Sequence, residues 1–473
     1  MVDQWARSSL DLHLPIDRGR GVRAGLERAL RDAVRSGRLP PGTRLPSSRV
    51  LARDLGIARG TVTQAYEQLV AEGFLTSLPR SGVRVAPGPA GPPEPGPTLA
   101  GTWLPPVPGV DLRPGLPDLS LFPRREWLAA TRQVLQTAPN SAFGYGAWSG
   151  HEELRATLAE YLGRARGVLT TADHIVVCAG YTHALQIIYR ALRQIGASSV
   201  AFEDPFIADY PSFSRESGLQ VAHVPVDQEG LVTDQLAGQD IVIVTPAHQY
   251  PLGVTLSPPR RTRLLEWAQR TGAYVVEDDY DGEFRYDRQP VGALQGLAPD
   301  RVIYAGTVSK TLAPGLRLAW LAVPTSLIPA FRQSAACDDN HVSVVDQLAL
   351  ARLIQTGDLD RHLRRCRARY RRRRDRLGAA VAERLPRTRL SGIAAGLHAV
   401  LYVPDADEAD LCAHLARHEV AVDGLAAYHH RPQAAPSGIV IGYATPPEHA
   451  YAAAVSALVG TLQTYLRQHR GTR

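Results

Sequence analysis

Lysine is almost missing from this 473-residue chain. Of its 53 lysine and arginine residues, Lys310 is the only lysine, and methionine is reduced to the initiator. Cysteine is scarce too: Cys178, Cys337, Cys366 and Cys412 lie far apart, without a CxxC pair. That scatter excludes a disulfide framework and a thiolate metal centre, and leaves ordinary reduced thiols as the expectation. No apolar run approaches the about 20 residues that a membrane-spanning helix needs. The opening MVDQWARSSLDLHLP carries charge where a secretory leader needs an apolar stretch, so a cytoplasmic chain is expected. What remains is a globular composition, 44% hydrophobic and 21% charged, too long for one ordinary core.

The lone lysine carries a chemical implication. Arginine holds its proton permanently and forms no imine, whereas a lysine amine can lose its proton and attack a carbonyl. In a chain where every other long basic side chain is arginine, Lys310 stands out as a candidate for that chemistry. The charge is also unevenly placed. Residues 1–86 hold 14 arginines against 8 carboxylates, while the whole chain is only +7. A basic excess confined to one small unit is the footprint of polyanion binding.

A Pro/Gly-dominated stretch, 87–110, reads as a semi-rigid linker between a head at 10–86 and a body at 111–473. In the head, helices are expected over 21–36, 48–55 and 59–72. The third has apolar residues at Val62, Ala65, Tyr66, Leu69 and Val70, one buried stripe. Two helices joined by a tight Gly56 turn form a helix-turn-helix, and the alternating stretch after it forms a hairpin wing with Arg80 and Arg84 available to phosphates. In the body, strands are expected at 174–179, 199–204, 240–246, 273–279 and 301–306, apolar without strict alternation, as in a mostly parallel sheet covered on both faces. The distinctive residues fall just after these strands, where ligands bind in open α/β sheets.

The head motif LPSSRVLARDLGIARGTVTQAYEQLVAEGFL, followed by SLPRSGVRV, resembles the GntR family of winged-helix regulators. The resemblance implies DNA contacts from Ser48, Arg49, Arg59, Thr61, Thr63, Gln64, Arg80 and Gly82. Arg49 and Arg80 would hold phosphates, and Thr63 and Gln64 would reach base edges. Ala58 departs from the serine that usually caps the recognition helix.

The body resembles fold-type I aminotransferases through GLPDLSLFPRREW, FGYGAWSGHEELRATLAEYL, TPAHQYPLG, VVEDDYDGEFRY and GTVSKTLAPGLRLAWLAVP. Head and body together resemble the MocR subfamily. The resemblance implies an α/β body with a large part at about 135–335 and a smaller α+β part at about 336–473, bound to pyridoxal 5'-phosphate. Lys310 matches the Schiff-base lysine, Asp278 the acid that pairs with the pyridinium nitrogen, and Tyr280 a partner of the phenolic oxygen. Thr307, Ser309 and Arg317 match phosphate contacts, and Gly180, Tyr181 and Thr182 form the strand-to-helix turn that cups the phosphate.

Several departures shape the functional expectation. Val440, in GIVIGYA, stands where an arginine usually grips a substrate carboxylate; Arg431 is a possible substitute. PFI (205–207) lacks the tyrosine of the usual PGY, and AGYTHAL (179–185) has Thr182 and His183 in place of two glutamines. His183 reads best as a satisfied helix-start histidine. RHLRRCRARYRRRRDR (361–376), with ten arginines, reads as an exposed helix or as a further DNA-contacting surface. The expectation is a regulator binding operator DNA as a domain-swapped homodimer, with weak or no aminotransferase activity. Its body would sense pyridoxal phosphate or an amine or amino-acid effector, with no metal and no membrane. The alternatives are an active aminotransferase with an accessory head, and a regulator whose body is a cofactor-free dimerisation relic.

Overall fold

The structure is a computed structural model that describes residues 21–78, 82–87, 109–286, 291–335, 342–404 and 406–469. Arg80, Cys337 and nearly all of the linker lie outside them. The chain divides into two compact units at Pro105–Pro106.

In the first unit, α1 (Val22–Arg35), α2 (Ser48–Leu55) and α3 (Arg59–Ala71) precede a hairpin of β1 (Leu75–Leu78) and β2 (Gly82–Val85). Helix α1 buries Leu26, Ala29, Leu30 and Ala33, and α3 buries Val62, Ala65, Tyr66 and Leu69, so their 3.6-residue stripes form one core. Ser47 caps α2 by accepting from the Val50 amide at 3.3 Å. Gly56 ends it at φ 63°, in the left-handed region that glycine occupies freely.

The second unit opens with β3 (Val110–Asp111), α4 (Arg124–Thr137) and α5 (Glu152–Arg166). There follow β4 (Ile175–Cys178), α6 (Tyr181–Gln194), β5 (Ser199–Asp204), α7 (Asp209–Glu216), β6 (Gln220–Asp227) and β7 (Gly230–Leu231). Next come β8 (Ile241–Val244), α8 (Pro258–Thr271), β9 (Tyr274–Asp279), β10 (Val302–Thr307), β11 (Ala319–Ala322) and α9 (Ile328–Ala335). The sheet order is β4-β11-β10-β9-β8-β5-β6-β7. Pairing is parallel from β10 through β6; β11 runs antiparallel to both its neighbours, and β7 to β6. Each of the five expected strands is present, within two residues at each end. Strands β6, β7 and β11 of this sheet were not expected from the sequence.

The smaller part contains α10 (Val344–Gln355), the 27-residue α11 (Asp358–Arg384), β12 (Arg389–Ser391), β13 (Ala399–Tyr402) and α12 (Glu408–Arg417). It ends with β14 (Val420–Ala421), β15 (Asp423–Gly424), β16 (Gly438–Ile441) and α13 (Glu448–Gln468). Its antiparallel sheet runs β12-β13-β16-β15. Strand β3, far away in sequence, pairs with β14, and the Leu112 carbonyl accepts from Gly442 N at 2.7 Å. The first segment of the body is thereby stitched to its C-terminal part.

Candidate functional site

The large sheet brings three strand ends to one place. Cys178 ends β4, Asp279 ends β9 and Thr307 ends β10, and the loops just beyond them line a cavity of about 200 Å³. Tyr181, Thr182, Asp278, Tyr280, Thr307, Ser309, Lys310 and Arg317 all line it. Gly180 is the N-cap of α6, at φ 89°, and no side chain caps that helix, so its first amide groups face outward. A Cβ at Gly180 would come 2.6 Å from Arg317 Nη2, so the close approach of this guanidinium requires glycine. Arg317, itself left-handed at φ 51°, donates to the Ala179 carbonyl at 3.0 Å. The Thr307 and Ser309 hydroxyls lie 2.9 Å apart. An open helix end, two hydroxyls and a guanidinium together make a seat for a phosphate-sized dianion.

At the other end, Lys310 Nζ donates to the Gly115 carbonyl at 2.5 Å. Burial lowers the pKa of this amine, partly opposed by the charges of Asp281 and Asp278. Burial pushes the Asp278 carboxyl up to about 8, against the opposing pull of the Tyr181 hydroxyl and Lys310. Both shifts have one origin: two ionisable groups withdrawn from water inside a lined cavity. A cationic ring nitrogen beside Asp278 would restore its charge.

Tyr280 is held from behind. Its hydroxyl donates to the His248 carbonyl at 3.0 Å and lies 3.1 Å from His248 Nδ1, which also bonds Asp281 Oδ2 at 2.9 Å. His248, Asp281 and His398 form a buried group with potential metal-ligand atoms within 4.8 Å of one another. The two histidines are already engaged, His248 by Asp281 and His398 by the Pro251 carbonyl at 3.0 Å. His248 and Asp281 are among the distinctive residues that follow the strands in the sequence, but their link to Tyr280 was not foreseen, and neither were Tyr210 and Gly115. Tyr210, three residues past PFI, packs edge-on against Tyr181 with centroids 5.4 Å apart and puts a tyrosine back into the cavity wall.

Val440 is fully buried in a small apolar cluster with Val400 and Leu425, backed by Leu252 and Tyr428. Its neighbour across the sheet is Asp423, which accepts from the Tyr428 hydroxyl at 2.7 Å. An apolar side chain beside an acid offers a carboxylate nothing. Arg431 is exposed. A second cavity, of about 390 Å³, lies against α6 and α10, and His183 lines it. Nδ1 of His183 accepts from the Ala179 amide at 2.8 Å, as expected of a satisfied helix-start histidine.

In the head, Arg49, Arg59 and Gln64 are exposed at the N-terminal ends of α2 and α3, with Ser48, Thr61 and Thr63 half-buried beside them. The Thr63 hydroxyl bonds the Arg59 carbonyl at 3.1 Å. Gly82, at φ 81°, opens β2, and the exposed Arg44 lies next to it, an additional cation at the wing. Arg84 donates one N–H to the Gly42 carbonyl at 3.0 Å and keeps its remaining donors. Ala58 takes the extended N-cap conformation (φ −67°, ψ 138°) but has no side-chain oxygen to cap α3. Ala58→Ser should therefore stabilise the head by about 1 kcal/mol, read as a higher denaturation midpoint for its unfolding transition.

Comparison with known proteins agrees with both halves. Residues 23–85 match the model of bacterial regulatory proteins of the gntR family, and 111–458 match aminotransferase class I and II. The chain is 35% identical over 382 residues to the pyridoxine biosynthesis transcriptional regulator PdxR of Corynebacterium glutamicum, covering 80% of this chain and 82% of PdxR. This chain belongs to the MocR subfamily of GntR-type transcription regulators. Another relative is the probable rhizopine catabolism regulatory protein MocR of Rhizobium meliloti, 34% identical over 72% of this chain and 73% of its own length. Among solved structures, the kynurenine aminotransferase of Pyrococcus horikoshii superposes on this MocR-type regulator with a TM-score of 0.67 at 26% identity, covering 76% of this chain and 91% of that one. The regulator thus couples a helix-turn-helix DNA-binding head to a fold-type I aminotransferase-like body.

Proposed function

We propose that the body binds pyridoxal 5'-phosphate on Lys310 and that this binding alters how the head engages operator DNA. The observation carrying this reading is the only lysine of the chain, half-buried in the same cavity wall as Asp278. Burial favours the free amine, the form that attacks an aldehyde, over the ammonium. Asp278 would pair with the ring nitrogen, Tyr280 with the phenolic oxygen, and Gly180, Tyr181, Thr182, Thr307, Ser309 and Arg317 with the phosphate. When bound, the group would supply an electron sink; the chain's own residues hold and orient it.

Because Val440 sits in an apolar cluster beside Asp423, an amino-acid carboxylate lacks its usual grip. This favours pyridoxal phosphate itself as the signal over transamination of an amino acid. The name of PdxR, a regulator of pyridoxine biosynthesis, supports the same direction. In the head, Ser48, Arg49, Arg59, Thr61, Thr63, Gln64, Arg80 and Gly82 would contact the operator. A homodimer accounts for large apolar side chains left in water on and after α4, among them Leu128 (68% exposed), Leu135, Phe143 and Tyr145 (96%).

The test is a visible absorption spectrum with added pyridoxal phosphate, wild type beside Lys310→Ala, paired with DNA binding in the presence and absence of the compound. The expected result is an imine band and a change in DNA affinity in the wild type, with neither in the variant. A wild type with no band, or a band without any effect on DNA binding, rejects the reading.

A further inference from the structure

We propose that the solvent-facing side of α11 is a second contact for double-stranded DNA, gripping phosphates rather than bases. The helix holds eleven arginines against four carboxylates, an excess of +7 equal to the formal charge of the whole chain. Its inner stripe is conventional: Leu359, Leu363, Cys366, Tyr370, Leu377 and Val381 are buried. One arginine, Arg373, belongs to that inner side, fixed by Asp118 at 2.7 Å and Glu448 at 3.0 Å. The others face outward or lie at the margin. Arg361, Arg364, Arg365, Arg371, Arg372 and Arg376 are exposed and recur at spacings of three, four and seven, so they line one face. From Arg361 to Arg376 that face is about 22 Å long at 1.5 Å per residue, comparable to roughly six phosphate steps along one DNA strand.

Two of the six have partners in the fold, Arg361 with Asp358 at 2.6 Å and Arg365 with Glu126 at 3.6 Å. Among the described residues, Arg364, Arg371, Arg372 and Arg376 have no ion-pair partner. Like charges at these helical spacings destabilise a helix, and a face serving only solubility is better built from both signs. A surface groove of about 420 Å³ runs beside this face, walled by Arg365, Arg369 and Arg372 over Cys366 and Ala368. Guanidinium groups flanking a groove are suited to clasp a phosphate by paired N–H donors. DNA is the polyanion of choice because the same chain carries a DNA-binding head. The inference rests on that head alone and is independent of the pyridoxal phosphate reading.

The experiment uses the full chain and a random-sequence duplex of about 60 base pairs, roughly six helical turns, titrated between about 50 and 200 mM salt. Wild type is compared with Arg364→Gln/Arg371→Gln/Arg372→Gln/Arg376→Gln and with the corresponding four Arg→Lys changes. The glutamine variant should lose about 2–4 from the slope of log K against log salt, at roughly 0.9 per phosphate contact. The lysine variant, which keeps the charges, should retain most of the slope. A double variant, Arg364→Gln/Arg376→Gln, should lose about half as much and serves if the fourfold change impairs folding. A wild-type slope in both glutamine variants overturns the proposal, as does an equal loss in the lysine variant. Altered self-association with unchanged DNA binding would make the face a protein contact and overturn it too.

Discussion

Replacing Arg166 by alanine should destabilise the body by about 3–5 kcal/mol, the usual penalty for stranding one member of a buried ion pair. Arg166 ends α5, and its side chain and that of Asp279 are each 1% exposed. The pairing is two-pronged, Nε to Oδ2 at 2.6 Å and Nη2 to Oδ1 at 2.9 Å, while Nη1 reaches the Gly282 carbonyl at 3.2 Å. The Tyr304 hydroxyl adds a bond to Asp279 Oδ2 at 2.6 Å. Without the guanidinium, the buried carboxylate would lose both of its charged hydrogen bonds and keep that hydroxyl. Denaturant titration of Arg166→Ala measures the loss. Arg166→Ala/Asp279→Asn should recover part of it, because the unpaired charge is then gone. A single variant within about 1 kcal/mol of wild type would mean that the site relaxes around the charge, contrary to the rigid geometry described. Because Asp278 precedes Asp279 on β9, the single variant should also weaken the cavity.

Asp278→Asn should have opposite effects on stability and on binding. With its carboxyl pushed up to about 8, Asp278 keeps its proton in the folded, ligand-free body at pH 7, while the unfolded chain has lost it. The folded state therefore holds the extra proton from the ordinary carboxylate range up to about pH 8. Its contribution to stability falls as pH rises through that window. Asparagine removes the titration, so the variant should gain on wild type steadily from pH 5.5 to pH 8 in paired thermal melts. Pyridoxal phosphate binding should weaken by about 10- to 100-fold, as expected for losing a charge-assisted hydrogen bond of roughly 1.5–3 kcal/mol. Unaltered affinity by absorbance titration would show that the ring nitrogen does not meet this carboxyl.

The two halves of the molecule were legible to different depths. In the head, α2 runs over Ser48–Leu55 as expected, because Ser47 and Gly56 mark its ends by chemistry that local sequence reveals. In the body, the missed β6 contains Pro225 and a half-exposed pattern, and β11 is only four residues within a motif already read for its lysine. Lys310, Asp278 and Tyr280 were found because their side chains carry rare chemistry. Gly115 could not be found, since it acts through a carbonyl that every residue possesses. His248 meets Tyr280 and Asp281 across more than thirty residues, a pairing that only the closed sheet discloses.

The bond between Lys310 and Gly115 sets up a competition. If Lys310 held an aldehyde ligand, its amine would no longer be an ammonium donor to that carbonyl, so ligand capture and the Gly115 contact would compete. Gly115 lies only a few residues downstream of the linker, on the segment whose neighbours Val110 and Leu112 are pinned to β14 and Gly442. Reaction at the amine would therefore cost the body one contact on the segment that follows the linker. Reciprocity requires the converse: any arrangement of the chain that pulls Gly115 away leaves the amine freer to react.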